Sequence, residues 1–247
     1  METGVLFLVN QSIKLFLLYL VQYSCGLLVV HKGVKVNYTR KINHFCLFLI
    51  PIYLDRIFAY EETFDLFIIG SLGSIATLLI YLEPVRKRVP VISLMFRSFD
   101  RPEDRPHTLL WLSTQILAGF LILVPMIILY AQYGLQHLIM LPLLINAIGD
   151  GLAEPVGVRF GRHKYRVHAL FTKKKFYRTL EGSACVFIAS LVIIAAYHNS
   201  FTTEQFLIAL VVIPVVMTLA EAFSPHTWDT PFLFLIGYLS LFFIALW

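Results

Sequence analysis

Residues 146 to 161 read Asn-Ala-Ile-Gly-Asp-Gly-Leu-Ala-Glu-Pro-Val-Gly-Val-Arg-Phe-Gly, two acids among several glycines. On a helix, Asn146, Asp150, Glu154, Gly157 and Gly161 fall on one face at steps of four and three. Pro155 either kinks that helix or opens a new one at its first position. Both arrangements keep the Asp150 and Glu154 carboxylates close. Two carboxylates, with glycines that admit close backbone approach, suit a hard divalent cation bridging phosphates.

Three further clusters carry polar chemistry. Arg178-Thr-Leu-Glu-Gly-Ser183 stands at the start of an apolar run. A helix N-terminus there presents free N–H groups to phosphate, with Gly182 and Ser183 leaving them open and Glu181 offering a metal-compatible oxygen. The alternative is an ordinary helix start capped by Thr179. Glu221 lies inside the end of another apolar run and leads to Asp229 and Pro231. An ionisable group in that position points to function, or to a salt bridge with a basic loop residue. Arg40 and His44 sit one turn apart at the start of a third run, a place where basic residues commonly serve as anchors. The basic link 159–182 adds Arg162 and Lys164 beside the acidic motif, read as nucleotide contacts. Its eight lysines and arginines could equally bind anionic lipid headgroups. His163 and His168 read as solvated loop histidines. Carboxylates for a metal and a proton, with cations for phosphates, are the parts of phosphoryl or nucleotidyl transfer. Neither a Walker motif nor the protein-kinase signatures occur.

These groups must be positioned by helices in lipid. The 247 residues are 58% hydrophobic and 14% charged, where a soluble domain carries about a quarter charged. Eight apolar runs approach the roughly 20 residues of a helical span: 13–30, 42–58, 64–82, 109–130, 135–148, 183–197, 206–223 and 232–247. The fifth and sixth are short and flank the most polar stretch, as helices that break or end around a site do. Lys14 is expected to snorkel from the outer end of the first span.

Charge orients the spans. Links 31–41, 83–108 and 159–182 hold 18 of the 20 lysines and arginines, while a link between them holds Glu61, Glu62 and Asp65. The positive-inside rule makes the basic links cytoplasmic and both termini external. All four polar clusters then fall on the cytoplasmic face. The expected fold is an all-α, polytopic bundle forming a single membrane-embedded domain over 1–247. The link 83–108 reads as a solvated loop in preference to an interfacial helix near Val89 to Phe99. Cys25, Cys46 and Cys185 are widely spaced in apolar runs and suggest no disulfide or metal framework. The start of the chain lacks the basic residues of a cleaved signal peptide.

Gly149 to Lys164, followed by Arg178-Thr-Leu-Glu-Gly-Ser183, resembles the membrane lipid-alcohol kinases: phytol, farnesol and dolichol kinases and the CTP-dependent diacylglycerol kinase. More distantly it is similar to the phosphatidate cytidylyltransferases, whose K-T-x-E-G element has Arg178 here in place of lysine. Arg40-Lys-Ile-Asn-His44 looks like an R-K-x-x-H element of the kinases. Glu221 to Pro231 looks like their E-x-x-S-P…D-N…P element, with Thr230 where Asn is usual. The late K-D and P-G-H-G-G segments of a cytidylyltransferase are missing. The resemblance implies transfer of the terminal phosphate of CTP, or another nucleoside triphosphate, to a lipid alcohol with Mg²⁺. Under it, Asp150, Glu154 and Glu181 hold metal or act as base. Arg162, Lys164, Arg178, Gly157, Gly161, Gly182 and Ser183 bind nucleotide, with Arg40 and His44 in support, and Asn146, Glu221 and Asp229 complete the site. The implied partners are the lipid alcohol, the nucleotide and the membrane, with no nucleic acid. Two other readings remain: cytidylyl transfer, and a transporter using Asp150 and Glu154. The one-sided placement of the acids disfavours transport, whose sites lie near the midplane.

Overall fold

The computed structural model describes residues 2–61 and 63–247. Met1 and Glu62, placed by the sequence reading at the chain start and in the acidic link, lie outside the described residues. The chain divides into two compact units, Met1–Ser113 and Thr114–Trp247.

In the first unit, α1 (Glu2–Lys32), α2 (Val36–Ile57) and α3 (Phe64–Ala76), prolonged by a tighter turn Thr77–Tyr81, form the long elements. Gly33, at φ +62°, lets the chain leave α1. Helix α1 begins about three turns before Lys14, so Lys14 lies mid-helix and does not snorkel. Its side chain is buried and its ammonium meets the Asp55 carboxylate of α2 at 2.5 Å. The Asn10 amide donates to the same carboxylate oxygen at 3.0 Å and to the Phe58 carbonyl at 3.0 Å. A charge inside an apolar helix pair is tolerated when it is paired in this way.

The link 83–108 is not a solvated loop. It folds as α4 (Glu83–Arg88) and α5 (Pro90–Phe96), each with a proline in its first turn, where the missing N–H costs nothing. Met95, Phe96 and Phe99 close with Tyr81 into a buried cluster. A Cβ at Gly26 of α1 would run into the Leu94 carbonyl, so glycine lets α5 lie against α1. The link's four prolines and mixed charges masked this apolar face.

The second unit begins within α6 (Thr108–Gln132). It continues through α7 (Met140–Ile145), a π-helical turn (Asn146–Asp150) and α8 (Gly151–Phe160). Together Gln136–Phe160 make one helical run of 25 residues. The fifth span is therefore neither short nor ended by its polar motif. Half of its most apolar window is buried inside the protein, against 6% for Thr108–Gln132, so its polar residues face protein instead of lipid. Pro155 lies inside α8 and neither ends nor starts a helix.

The basic link 159–182 folds into an antiparallel hairpin, β1 (Lys164–Val167) with β2 (Phe176–Thr179). Helices α9 (Leu180–Ala196), α10 (Thr203–Phe223) and α11 (Asp229–Ala245) follow. A reciprocal cap starts α10: Thr202 accepts from the Gln205 N–H while the Gln205 side chain accepts from the Thr202 N–H. Val186, Ile194, Ala209, Ile213, Met217, Leu233, Tyr238 and Leu241 are fully buried in this unit. The Tyr130 hydroxyl donates to the Tyr238 carbonyl at 2.7 Å.

Among the described residues, five helices are long and apolar enough to cross a membrane: Thr3–Lys32, Phe64–Tyr81, Thr108–Gln132, Gln136–Phe160 and Thr203–Phe223. Leu180–Ala196 and Asp229–Ala245 are apolar but shorter; the sixth expected span is indeed short. Helix α2 has 22 residues but carries Arg40, Lys41, Asp55 and Arg56. The protein is thus all-α and of multi-pass membrane type, with one small hairpin.

Candidate functional site

The hairpin sorts its side chains by the two-residue period of a strand. Tyr165 pairs with Arg178 and Val167 with Phe176, so these four share one face. Val167 and Phe176 are buried. The Phe176 ring stacks on His226 with centroids 3.7 Å apart, and the His226 N–H donates to the His168 carbonyl at 2.7 Å. The hairpin is thereby fastened to the segment joining α10 and α11.

Arg178 is the centre of the site. Its guanidinium donates to the Glu221 and Pro225 carbonyls, to the Ser224 hydroxyl at 2.9 Å and to the Asp229 carboxylate. Its Nε lies 3.6 Å from Glu221 Oε1. The second Glu221 oxygen accepts from the Ser183 hydroxyl at 2.7 Å, and that hydroxyl lies 2.6 Å from the Tyr165 hydroxyl. Burial works against the Arg178 charge, but Asp229, then Glu221, Tyr165 and Asp150, outweigh it and raise its pKa. Burial, followed by the neighbouring Glu221, pushes the Tyr165 phenol up to about 12, so it is a neutral hydrogen-bonding group at ordinary pH. Its guanidinium ties three segments of the chain together.

Asp150, Glu221 and Asp229 are 4%, 3% and 7% exposed. All three carboxylates act on the Arg178 charge, Asp229 most strongly. Among the described residues no group of three or more His, Cys, Asp or Glu is disposed to hold a metal ion. The expected set Asp150, Glu154 and Glu181 is therefore not assembled as a three-ligand cage. Glu181 is instead engaged by His163, whose Nδ1 lies 2.8 Å away and whose N–H approaches at 3.3 Å. Mg²⁺ fits here only as an ion held by one or two carboxylates and otherwise by phosphate and water, its usual habit.

The glycines serve packing. A Cβ on Gly149 would stand 3.0 Å from the Val186 Cα, one on Gly157 2.7 Å from the Thr179 hydroxyl, and one on Gly182 2.6 Å from the Ala153 carbonyl. A Cβ on Gly161 would strike the Thr179 side chain. Small residues bring α9 and the end of β2 against the motif helix, as in helix pairs within lipid. The Gly182 N–H is taken by the Thr179 hydroxyl at 3.1 Å, and Ser183 is buried in the Glu221 network. The helix start is capped by Thr179.

Asn146 is fully buried, and its side chain lies 3.4 Å from the Thr230 hydroxyl, to which Gln115 donates at 3.2 Å. Thr230 thus ties the start of α11 to the π turn. Glu154 is partly exposed on α8, while Arg162 and Lys164 are exposed at the root of the hairpin. Arg40 and His44 belong to the first unit, on α2, with the His44 ring 5.0 Å from that of Phe48.

Sequence reasoning missed Tyr165, Ser224, His226 and the Glu181 partner His163. Alternation of Tyr165 with Val167 was the available signal for the first. It also missed the segment's strained turn: Thr227, a β-branched residue, takes φ +67°, a region that costs such residues free energy. The Thr227 hydroxyl and the Trp228 indole N–H are buried without a hydrogen-bond partner among the described residues. No family model matches the chain, and neither does any curated protein or solved structure.

Proposed function

We propose that this protein transfers the terminal phosphate of a nucleoside triphosphate, CTP, to the hydroxyl of a lipid alcohol at the cytoplasmic face of a membrane that it crosses eight times, both termini outside. One observation carries the reading. Asp150, Arg178, Glu221 and Asp229, from motifs up to about eighty residues apart, meet in one buried charged cluster, beside exposed Arg162 and Lys164. Isolated in an apolar chain, such a cluster is expensive, and function is the usual reason for it.

In this scheme Arg162 and Lys164 attract the triphosphate. Asp150 and Glu154, one turn apart, face the reacting end, and one of them accepts the lipid hydroxyl proton. The lipid oxygen forms a bond to the γ-phosphorus as the bond to the β-phosphate oxygen breaks, yielding lipid phosphate and CDP. Mg²⁺, when bound, neutralises phosphate charge. Arg178, held by Glu221 and Asp229, fixes the walls of the site without itself contacting phosphate. The apolar helices guide the acceptor's tail.

Detergent-purified protein incubated with labelled CTP or ATP and a panel of polyprenols, phytol, farnesol, dolichol and diacylglycerol tests this. The expected products are lipid phosphate and CDP. CDP-lipid with pyrophosphate would make it a cytidylyltransferase. Asp150→Asn is expected to lower the rate about 10²- to 10⁴-fold; normal lipid phosphorylation by that variant would overturn the assignment.

A further inference from the structure

The outer face of the hairpin takes no part in the charged cluster. Opposite Tyr165 and Arg178, the strand period turns Arg166 and its cross-strand partner Tyr177 outward, and both are exposed. The connection between the strands places Phe171, 57% exposed, next to exposed Lys173 and Lys175. Phe171 takes φ +63°, a left-handed conformation that is unfavourable for a bulky residue. The backbone thus holds a largely exposed aromatic ring at a conformational cost. Lys174 leans its ammonium over the Phe176 ring, at 5.5 Å.

The hairpin's root lies at the ends of apolar helices. Phe160, at the end of α8, and Leu180, at the start of α9, are each about 60% exposed, as lipid-facing residues are. Four-residue strands reach roughly 13 Å from that root. This is the depth of a headgroup layer, within or just beyond a Debye length of the surface. Exposed aromatics interleaved with lysines and arginines at that depth are the composition of a membrane-interface contact.

We infer that the outer face and tip of the β1–β2 hairpin, through Arg166, Phe171, Lys173, Lys175 and Tyr177, dock onto the anionic phospholipid headgroups of the leaflet beside the site. Lysines and arginines meet headgroup phosphates and carboxylates while Phe171 and Tyr177 settle at the interface. Because Tyr177 and Arg178 are neighbours on opposite faces of β2, the docked surface also steadies the strand that carries the central arginine. The inference stands independently of which reaction the site performs.

The test is hydrogen exchange of the full-length protein in lipid nanodiscs of pure phosphatidylcholine, or of phosphatidylcholine with one-third phosphatidylserine. Amides of 168–178 are expected to exchange about tenfold more slowly with phosphatidylserine, the effect fading in molar salt. A variant combining Phe171→Ser, Lys173→Ala and Lys175→Ala is expected to lose that protection, while α9 amides keep theirs and report an intact fold. Equal exchange in the two membranes overturns the inference. So does equal protection in pure phosphatidylcholine on adding CTP or inorganic triphosphate, which would give the lysines to the nucleotide. If the variant loosens α9, the lipid comparison on the parent protein still decides.

Discussion

Replacing Arg178 by alanine separates an arginine that builds the site from one that grips a ligand. The Arg178 side chain is 12% exposed, and those of Glu221 and Asp229 are 5% and 10% exposed. Deleting it removes the cation from beside two buried carboxylates and the guanidinium donor from the Pro225 carbonyl and the Ser224 hydroxyl, while the Glu221 carbonyl keeps the Ser224 hydroxyl. Breaking a buried ion pair from one side costs about 3–5 kcal/mol. For a chain of this size each kcal/mol lowers the melting temperature by roughly 2–4 °C, so a fall of about 6–20 °C is expected. The assay is thermal unfolding in detergent, read by a thiol-reactive dye. Cys25 is buried and Cys185 lies in α9, so the thiols report both units. Arg178→Lys is expected to fall between parent and alanine, because a single ammonium cannot span the acceptors that the planar fork reaches. An Arg178→Ala protein that melts within about 2 °C of the parent would refute the reasoning and return the guanidinium to a ligand-gripping role.

Three other outcomes follow from the same structure. Glu221→Gln keeps an acceptor for Ser183 and leaves Arg178 paired with Asp229; stability is expected to fall by about 1–3 kcal/mol, less than for Arg178→Ala, measured in the same melts. Gly182→Val would force a branched side chain against the Ala153 carbonyl, with a loss of about 1–3 kcal/mol that Gly182→Ala shows in milder form. Asp55→Asn leaves the buried Lys14 ammonium without its charge partner. Because the Asp55 side chain is 45% exposed, the expected loss is about 1 kcal/mol, with Lys14→Met added to it restoring most of the loss in a double-mutant cycle.

Much of the site was legible because its parts are chemically out of place. Asp150, Glu221 and Asp229 stand beside or inside apolar runs, which singles them out in the sequence before any partner is known. The contacts these residues make were less legible. Arg178 and the Gly-Ser pair after Glu181 match phosphate-binding chemistry as a string, but a guanidinium binds whichever acceptors tertiary contacts bring first. Here those are Glu221, Ser224, Pro225 and Asp229. The glycines of the acidic motif carried the same ambiguity, since a missing side chain admits a ligand or a second helix equally well, and α9 fills the space.

By itself the sequence determined that the chain is helical and made for lipid. It also determined which residues are too polar to be there without a reason, because apolar run length and charge placement are properties of the chain read in order. Only tertiary structure decided that the polar motif continues the fifth span through a π turn, since burial against protein replaces the water that its polar groups would otherwise need. It also decided that α5 has a buried face, that the basic link folds into a hairpin, and that Lys14 is held by Asp55. Each of these depends on a partner distant in the chain, and short-range patterns of charge and hydrophobicity do not encode which distant group arrives.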